Sequence, residues 1–310
     1  MFLNKMNRVL VLAAFLFASN LLAARKVKVV TTLPDLKYIA EAIGGDRVDV
    51  LSLAKGYQDP HFVDAKPSLV LKLKNADVFI QVGLDLEVGW VPPLLQAARN
   101  SKIYYGGKGY VDASKGIHLL QIPTTAAAKL RAEGDIHVFG NPHYWLDPDN
   151  GKIIAKNILD AFKAIQVESA DYFEKNYQTF SAKIDSAVQV WEAKIAPYSG
   201  TKIFAYHDSW VYFEKRFGLE IVGFLEPKPG IPPTPSHLVS VIRKMQKNHI
   251  GVIIISPYYD DKPAQAIAKR TGAQVVAIAS SVGAYPQVKS YFDLFDYDIN
   301  ALVDAIKKTK

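Results

Sequence analysis

The chain has 310 residues, 49% hydrophobic and 22% charged, with a formal net charge of +7. That is ordinary globular composition, long enough for two domains with real cores. There is no cysteine, which excludes disulfides, thiolate metal sites and cysteine nucleophiles. The mild charge, with no Lys/Arg-dense tract, argues against nucleic-acid binding.

Residues 1–24 read as a secretory signal peptide: Lys5 and Arg8 precede an apolar run, Val9 to Ala18, and small residues close it. The run is short for a membrane span. Removing it takes away two positive charges and leaves +5. Without a cysteine to carry a lipid, the mature chain from about Arg25 is expected to be a free, monomeric periplasmic protein.

From Lys26 the predicted elements alternate. A β-rich run reaches Leu33, and Pro34-Asp35 opens a helix over Leu36 to Ile43, closed by Gly44-Gly45. Strands follow at 47–53, 77–83 and 102–105, with helices from Pro67 and over Trp90 to Arg99. Residues 106–139 show no clean period and read as loop with a little strand. Asp147-Pro148 starts the next helix, since Asp caps free N–H groups and Pro suits the first turn. Phe173, Tyr177, Phe180, Ile184, Val188, Trp191 and Ile195 then recur every three or four residues. They mark one face of a single helix over 171–196, roughly 39 Å long at 1.5 Å per residue.

A second α/β pattern follows. Strands are predicted at 201–206, 219–225, 251–256 and 273–278. Helices lie over 208–217, from a Ser236 cap through Met245, from Pro263 to Gly272, and over 300–308. Five prolines in Pro227 to Pro235 make a stiff loop that braces the cleft. Strands alternating with helices imply parallel sheets covered on both faces. The reading is an N-terminal lobe over 25–168, a linking helix over 169–197 and a C-terminal lobe over 198–310.

Seven histidines are available for chemistry. His207 ends a predicted strand, where open α/β sheets place ligand sites. His61 and His143 each follow a proline on a loop. Three neutral imidazoles converging in a cleft make a zinc-type site. His118 and His237 lack that setting and read as solvated, while His249 suits a helix end. His137, beside Asp135, is an auxiliary contact or a loop residue. Trp145 and Trp210 pack beside the site, and Asp293 and Asp296 read as caps or solvated acids. No nucleophile elbow, phosphate loop or dinucleotide fingerprint is present.

Asp59-Pro60-His61, Lys66-Pro67-Ser68, Asn141-Pro142-His143-Tyr144-Trp145 and His207-Asp208-Ser209-Trp210 resemble the zinc/manganese-binding periplasmic proteins of metal-uptake ABC transporters. The resemblance runs over the mature chain. It implies two α/β lobes with a rigid linking helix, His61, His143 and His207 as ligands, and delivery of the ion to a membrane permease. That family often supplies an acidic fourth ligand from a C-terminal loop, where this chain has Ser280. The fourth position then falls to water or to Glu226, Asp208, Asp260 or Asp261. An acid-poor, histidine-rich site favours zinc over manganese, because Mn²⁺ prefers carboxylate oxygen. The long His-rich insertion of some zinc members is absent. Two other functions compete: a three-histidine zinc enzyme, and a protein of the same build that binds an organic ligand or metal chelate.

Overall fold

The computed structural model describes residues 25–123 and 137–309; the expected signal peptide and most of the 121–139 stretch lie outside them. Among the described residues, no helix is long and apolar enough to cross a membrane. In the N-terminal half, β1 (Val27–Thr31), α1 (Pro34–Gly44), β2 (Val48–Ser52), α2 (Pro67–Lys74), β3 (Val78–Gln81), α3 (Val91–Ala98) and β4 (Tyr110–Asp112) precede α4 (Pro148–Ile165). The long helix α5 runs over Ala170–Ile195. The C-terminal half holds β5 (Lys202–Ala205), α6 (Val211–Phe217), β6 (Glu220–Phe224), α7 (Pro235–Lys247), β7 (Val252–Ile255), α8 (Lys262–Thr271), β8 (Gln274–Ala277) and α9 (Tyr291–Thr309).

Each half builds one four-stranded sheet, in the orders β2-β1-β3-β4 and β6-β5-β7-β8. Every pairing is parallel. The fully buried runs of β3 and β7, Val78-Phe79-Ile80 and Val252 to Ile255, are what a sheet covered on both faces requires. In both sheets the chain leaves its first strand in one direction and returns on the other side. A crevice forms where the connections part, at the strands' C-terminal ends.

Helix α5 has the predicted face. Phe173, Phe180, Ile184, Val188, Trp191 and Ile195 are buried. Its first half packs on the N-terminal lobe, with Phe173 against Phe162 at 5.4 Å between ring centroids and Asn176 Nδ2 donating to the Ile43 carbonyl at 3.0 Å. Its second half lies along α9, with Trp191 5.0 Å from Phe295 and Trp191 Nε1 donating to Asp296 Oδ1 at 2.7 Å. Asp296 is exposed, as expected of a solvated acid, and also anchors the helix through this bond. One hydrophobic core runs from Val27 to Ile306 through both sheets; a smaller one covers the outer face of the second sheet.

Three local expectations differ from the structure. The fourth strand lies at Tyr110–Asp112, not at 102–105. A Cβ on Gly107 would sit 2.5 Å from the Lys102 carbonyl oxygen, and one on Gly109 2.0 Å from that of Asp77. Only glycines let residues 102–109 turn that tightly before pairing with β3. Helix α9 starts at Tyr291 because Ser290 Oγ accepts from Asp293 N at 2.9 Å while Asp293 Oδ2 accepts from Lys289 N at 3.0 Å, a reciprocal capping pair. Helix α7 is capped by Thr234, whose Oγ1 accepts from His237 N, and not by Ser236.

Candidate metal centre

His61 stands on the loop after β2. Pro60 stiffens that loop, and Asp59 Oδ1 accepts from both the His61 backbone N–H at 2.9 Å and ring Nδ1 at 2.7 Å. His143 repeats the device: Asn141 Oδ1 accepts from its backbone N–H at 3.0 Å and from Nδ1 at 2.9 Å. Asn141 Nδ2 donates to Gln121 Oε1 and to the Asp208 carbonyl, both at 2.8 Å, which assigns the amide's orientation from its network. His207 sits just beyond β5, and its Nδ1 meets Glu226 Oε2 at 2.6 Å. In all three rings an oxygen acceptor fixes the proton on Nδ1 and turns the Nε2 lone pair the other way.

Those lone pairs converge. Ligating atoms of His61, His143 and His207 lie within 4.8 Å of one another, and the rings are 5.1–5.7 Å apart between centroids. All three residues are buried, His143 almost completely. His143 Nε2 has no hydrogen-bond partner. Burial, together with repulsion from the neighbouring imidazoles, holds its pKa well below the ordinary value, so the ring stays neutral and able to ligate. Asp59 is held below the usual carboxylate range: burial opposes its charge, but the His61 contacts outweigh it.

The other candidates divide. His137 stacks against His61 at the edge of the cluster, with Nε2 3.2 Å from His61 Nε2 and its ring 5.2 Å away; burial and the adjacent imidazoles push its pKa down to about 3. Glu226 is at the site but behind His207, holding the ring's far nitrogen and accepting from Gly230 N at 3.2 Å. Asp208 accepts from Gln121 Nε2 at 3.2 Å, and its pKa is raised by burial. Asp260 and Asp261 are exposed at the start of α8, where Asp260 Oδ1 accepts from Lys262 N at 3.1 Å. Neither reaches the imidazoles, because both are engaged in starting that helix. Ser280 is buried, and its Oγ lacks a partner of good geometry although the Tyr258 hydroxyl is nearby. Its carbonyl accepts from Trp145 Nε1 at 3.0 Å, and the Trp145 ring lies 5.3 Å from His143.

The surroundings tie both lobes to this point. Arg216 of α6 clamps Asp147, the cap of α4, through Nε at 2.8 Å and Nη2 at 3.1 Å. Val282 N and Ser281 Oγ donate to the buried Asp35 of α1. Burial raises the Asp35 pKa to about 6. His118 is exposed as expected. His237 is half-buried instead of solvated, with Nε2 on the Phe224 carbonyl at 3.1 Å.

Two parallel α/β lobes on one long helix, with buried imidazoles gathered between them, define a metal-binding solute receptor. The chain belongs to the family described as "Zinc-uptake complex component A periplasmic", which matches residues 29–305. It is 26% identical over 305 residues to the metal ABC transporter substrate-binding lipoprotein SloC of Streptococcus mutans, covering 96% of this chain and 95% of the relative. It is 24% identical over 294 residues to the manganese lipoprotein PsaA of Streptococcus pneumoniae, covering 92% and 91%. The iron lipoprotein MtsA of Streptococcus pyogenes is 26% identical over 291 residues, covering 91% and 90%. The crystal structure of ZnuA shares the fold, with a TM-score of 0.76 at 23% identity over 90% of this chain and 99% of that one.

The protein is therefore a metal-binding substrate-binding component of an ABC transporter, not an enzyme. The names also correct the expected compartment. SloC, PsaA and MtsA are named as lipoproteins, so the free periplasmic state read from the sequence does not stand. That reading took export from the residues 1–24 pattern and the free state from a missing cysteine, and the lack of one mode of attachment does not define where a protein resides.

Proposed function

We propose that this protein captures Zn²⁺ through His61, His143 and His207 and passes it to the transporter's membrane permease. One observation carries the reading: three buried rings, each with Nδ1 held by an oxygen acceptor, aim their remaining lone pairs at one point. A neutral nitrogen donor set suits zinc, whereas manganese prefers oxygen. The manganese and iron relatives make this choice of ion the part to test. All three rings come from one chain, which fits a monomer working as lobe 25–168, linking helix 169–197 and lobe 198–310. The stiff helix limits lobe motion, so entry and release are local rearrangements of the histidine loops.

The test is to strip the protein with chelator and titrate Zn²⁺ and Mn²⁺ by calorimetry, with His143→Ala alongside. The expected result is one tight zinc per chain, weak manganese, and a large loss in the variant. Tight manganese with weak zinc would overturn the choice of ion. Binding indifferent to His143 would overturn the site.

A further inference from the structure

We propose that His137 is the fourth ligand, closing a tetrahedral four-imidazole centre that selects borderline ions such as Zn²⁺ over Mn²⁺. This rests on metal capture by His61, His143 and His207. The distance from His61 Nε2 to His137 Nε2 is 3.2 Å. Two nitrogens on one tetrahedral zinc, each at about 2.0–2.1 Å, stand about 3.3 Å apart. His61 donates its Nδ1 proton to Asp59, so its Nε2 has only a lone pair. With its own proton on Nδ1, His137 sets a second lone pair beside that of His61. A third is already there and unused: His143 Nε2 is buried without a partner, and its ring is 6.0 Å from that of His137.

The acids do not compete for the position. Glu226 faces the far nitrogen of His207, and among the described residues the ligand atoms within 4.8 Å of one another belong to His61, His143 and His207, with no carboxylate among them; His137 stands outside that group of three and meets it at His61. Two carboxylates instead stand one ring away, Asp59 behind His61 and Glu226 behind His207. Four neutral imidazoles leave the ion's +2 charge intact, and these two groups formally balance it through the rings they hold. A divalent ion thus gains charge compensation without an oxygen ligand, which removes what Mn²⁺ would seek.

His137 also differs from the other three in access. It is half-buried and, with Gln121, His207, Asp208 and Pro229, lines a cavity of about 270 Å³. The ion entering through that cavity meets His137 first and leaves it last.

The experiment titrates chelator-stripped protein with Co²⁺ as a spectroscopic probe, with Zn²⁺ by competition, and with Mn²⁺. It compares the unaltered chain with His137→Gln, His137→Ala and His143→Ala. The expected result is intense four-coordinate Co²⁺ bands in the unaltered protein. In both His137 variants these bands weaken and shift, and zinc affinity falls by more than about 100-fold, beyond what losing the hydrogen-bond partner of a ligating histidine costs. Manganese binding should change little. Zinc affinity and cobalt bands unchanged in His137→Gln would overturn the fourth ligand and leave the three-histidine site standing. An equal loss for zinc and manganese with unaltered cobalt bands would mean a merely structural role and also overturn it. Failure of His143→Ala to weaken zinc would instead overturn the underlying site. Zinc-edge X-ray absorption on the unaltered protein needs no variant: four imidazoles support the proposal, and three with an oxygen refute it.

Discussion

Glu226 offers the sharpest test of how the site is built. Its carboxylate is buried, sits 2.6 Å from His207 Nδ1 and takes a second hydrogen bond from Gly230 N. It orients the ring, fixes its tautomer and supplies negative charge, all without touching the ion. A hydrogen bond to a charged group contributes about 1.5–3 kcal/mol. At about 1.4 kcal/mol per decade, removing it should weaken metal binding roughly 10- to 100-fold. Losses of that size are usual when the partner of a ligating histidine is removed. Glu226→Gln keeps an acceptor and loses the charge, so it should fall near the lower figure; Glu226→Ala should reach the upper. Competition against a fluorescent zinc chelator reads both, with melting curves of the metal-free proteins to check folding. An alanine variant within threefold of the unaltered protein would refute the reasoning. A loss as large as that of His207→Ala would refute it too, by making Glu226 a ligand.

Three further outcomes follow from the same geometry. Zinc affinity should fall as pH drops from 7 to 5, because protons compete for the rings; three ordinary imidazoles would give about three decades per pH unit below ~6.5. His143 is held neutral by burial, so the measured slope should be shallower, and a full three decades would count against this. Glu87, buried and accepting from Thr32 Oγ1, Val82 N and Gly83 N, is pushed up to about 7 by burial. A carboxyl raised in the folded state stabilises when protonated, and that contribution is lost as pH rises through about 7. Denaturation of Glu87→Gln against the parent should therefore shift by about 2.5 kcal/mol in the variant's favour between pH 5 and pH 8; an unchanged difference would contradict it. Asp296→Ala removes the acceptor of Trp191 Nε1 and, because the carboxylate is exposed, should cost only about 0.5–1.5 kcal/mol of stability with zinc affinity within twofold. A larger change in affinity would mean the helix anchor is coupled to the site.

Much of this was legible in the sequence. The alternation of buried strand runs with amphipathic helices led to two parallel sheets, and the three- and four-residue spacing from Phe173 to Ile195 led to α5 within a residue at each end. The X-Pro-His contexts singled out His61 and His143. Their cause was less visible: Asp59 and Asn141 lay inside the quoted motifs, but their double hydrogen bond to the following histidine is a backbone geometry. Glu226 was one of four acids offered for the fourth position, because sequence shows only that an acid exists. Its place behind His207 follows from the parallel register in which Leu225 N bonds the Ala205 carbonyl and Glu226 N that of Tyr206. The strand at 110–112 was missed because three residues carry no period, and the turn before it depends on two glycines passing over neighbouring carbonyls. The clamp from Arg216 to Asp147 joins positions far apart in sequence, and no local pattern marks it.

The larger hydrophobic core passes without a break from β1 through α5 to the end of α9. Neither half has an independent melting point to exhibit, so the polypeptide should denature in one cooperative step. An ion bound between the halves is then felt by all of it. At a hundredfold excess over its dissociation constant, a ligand of the native state adds about 2.7 kcal/mol. A probe on the final helix would register whether the cargo is aboard.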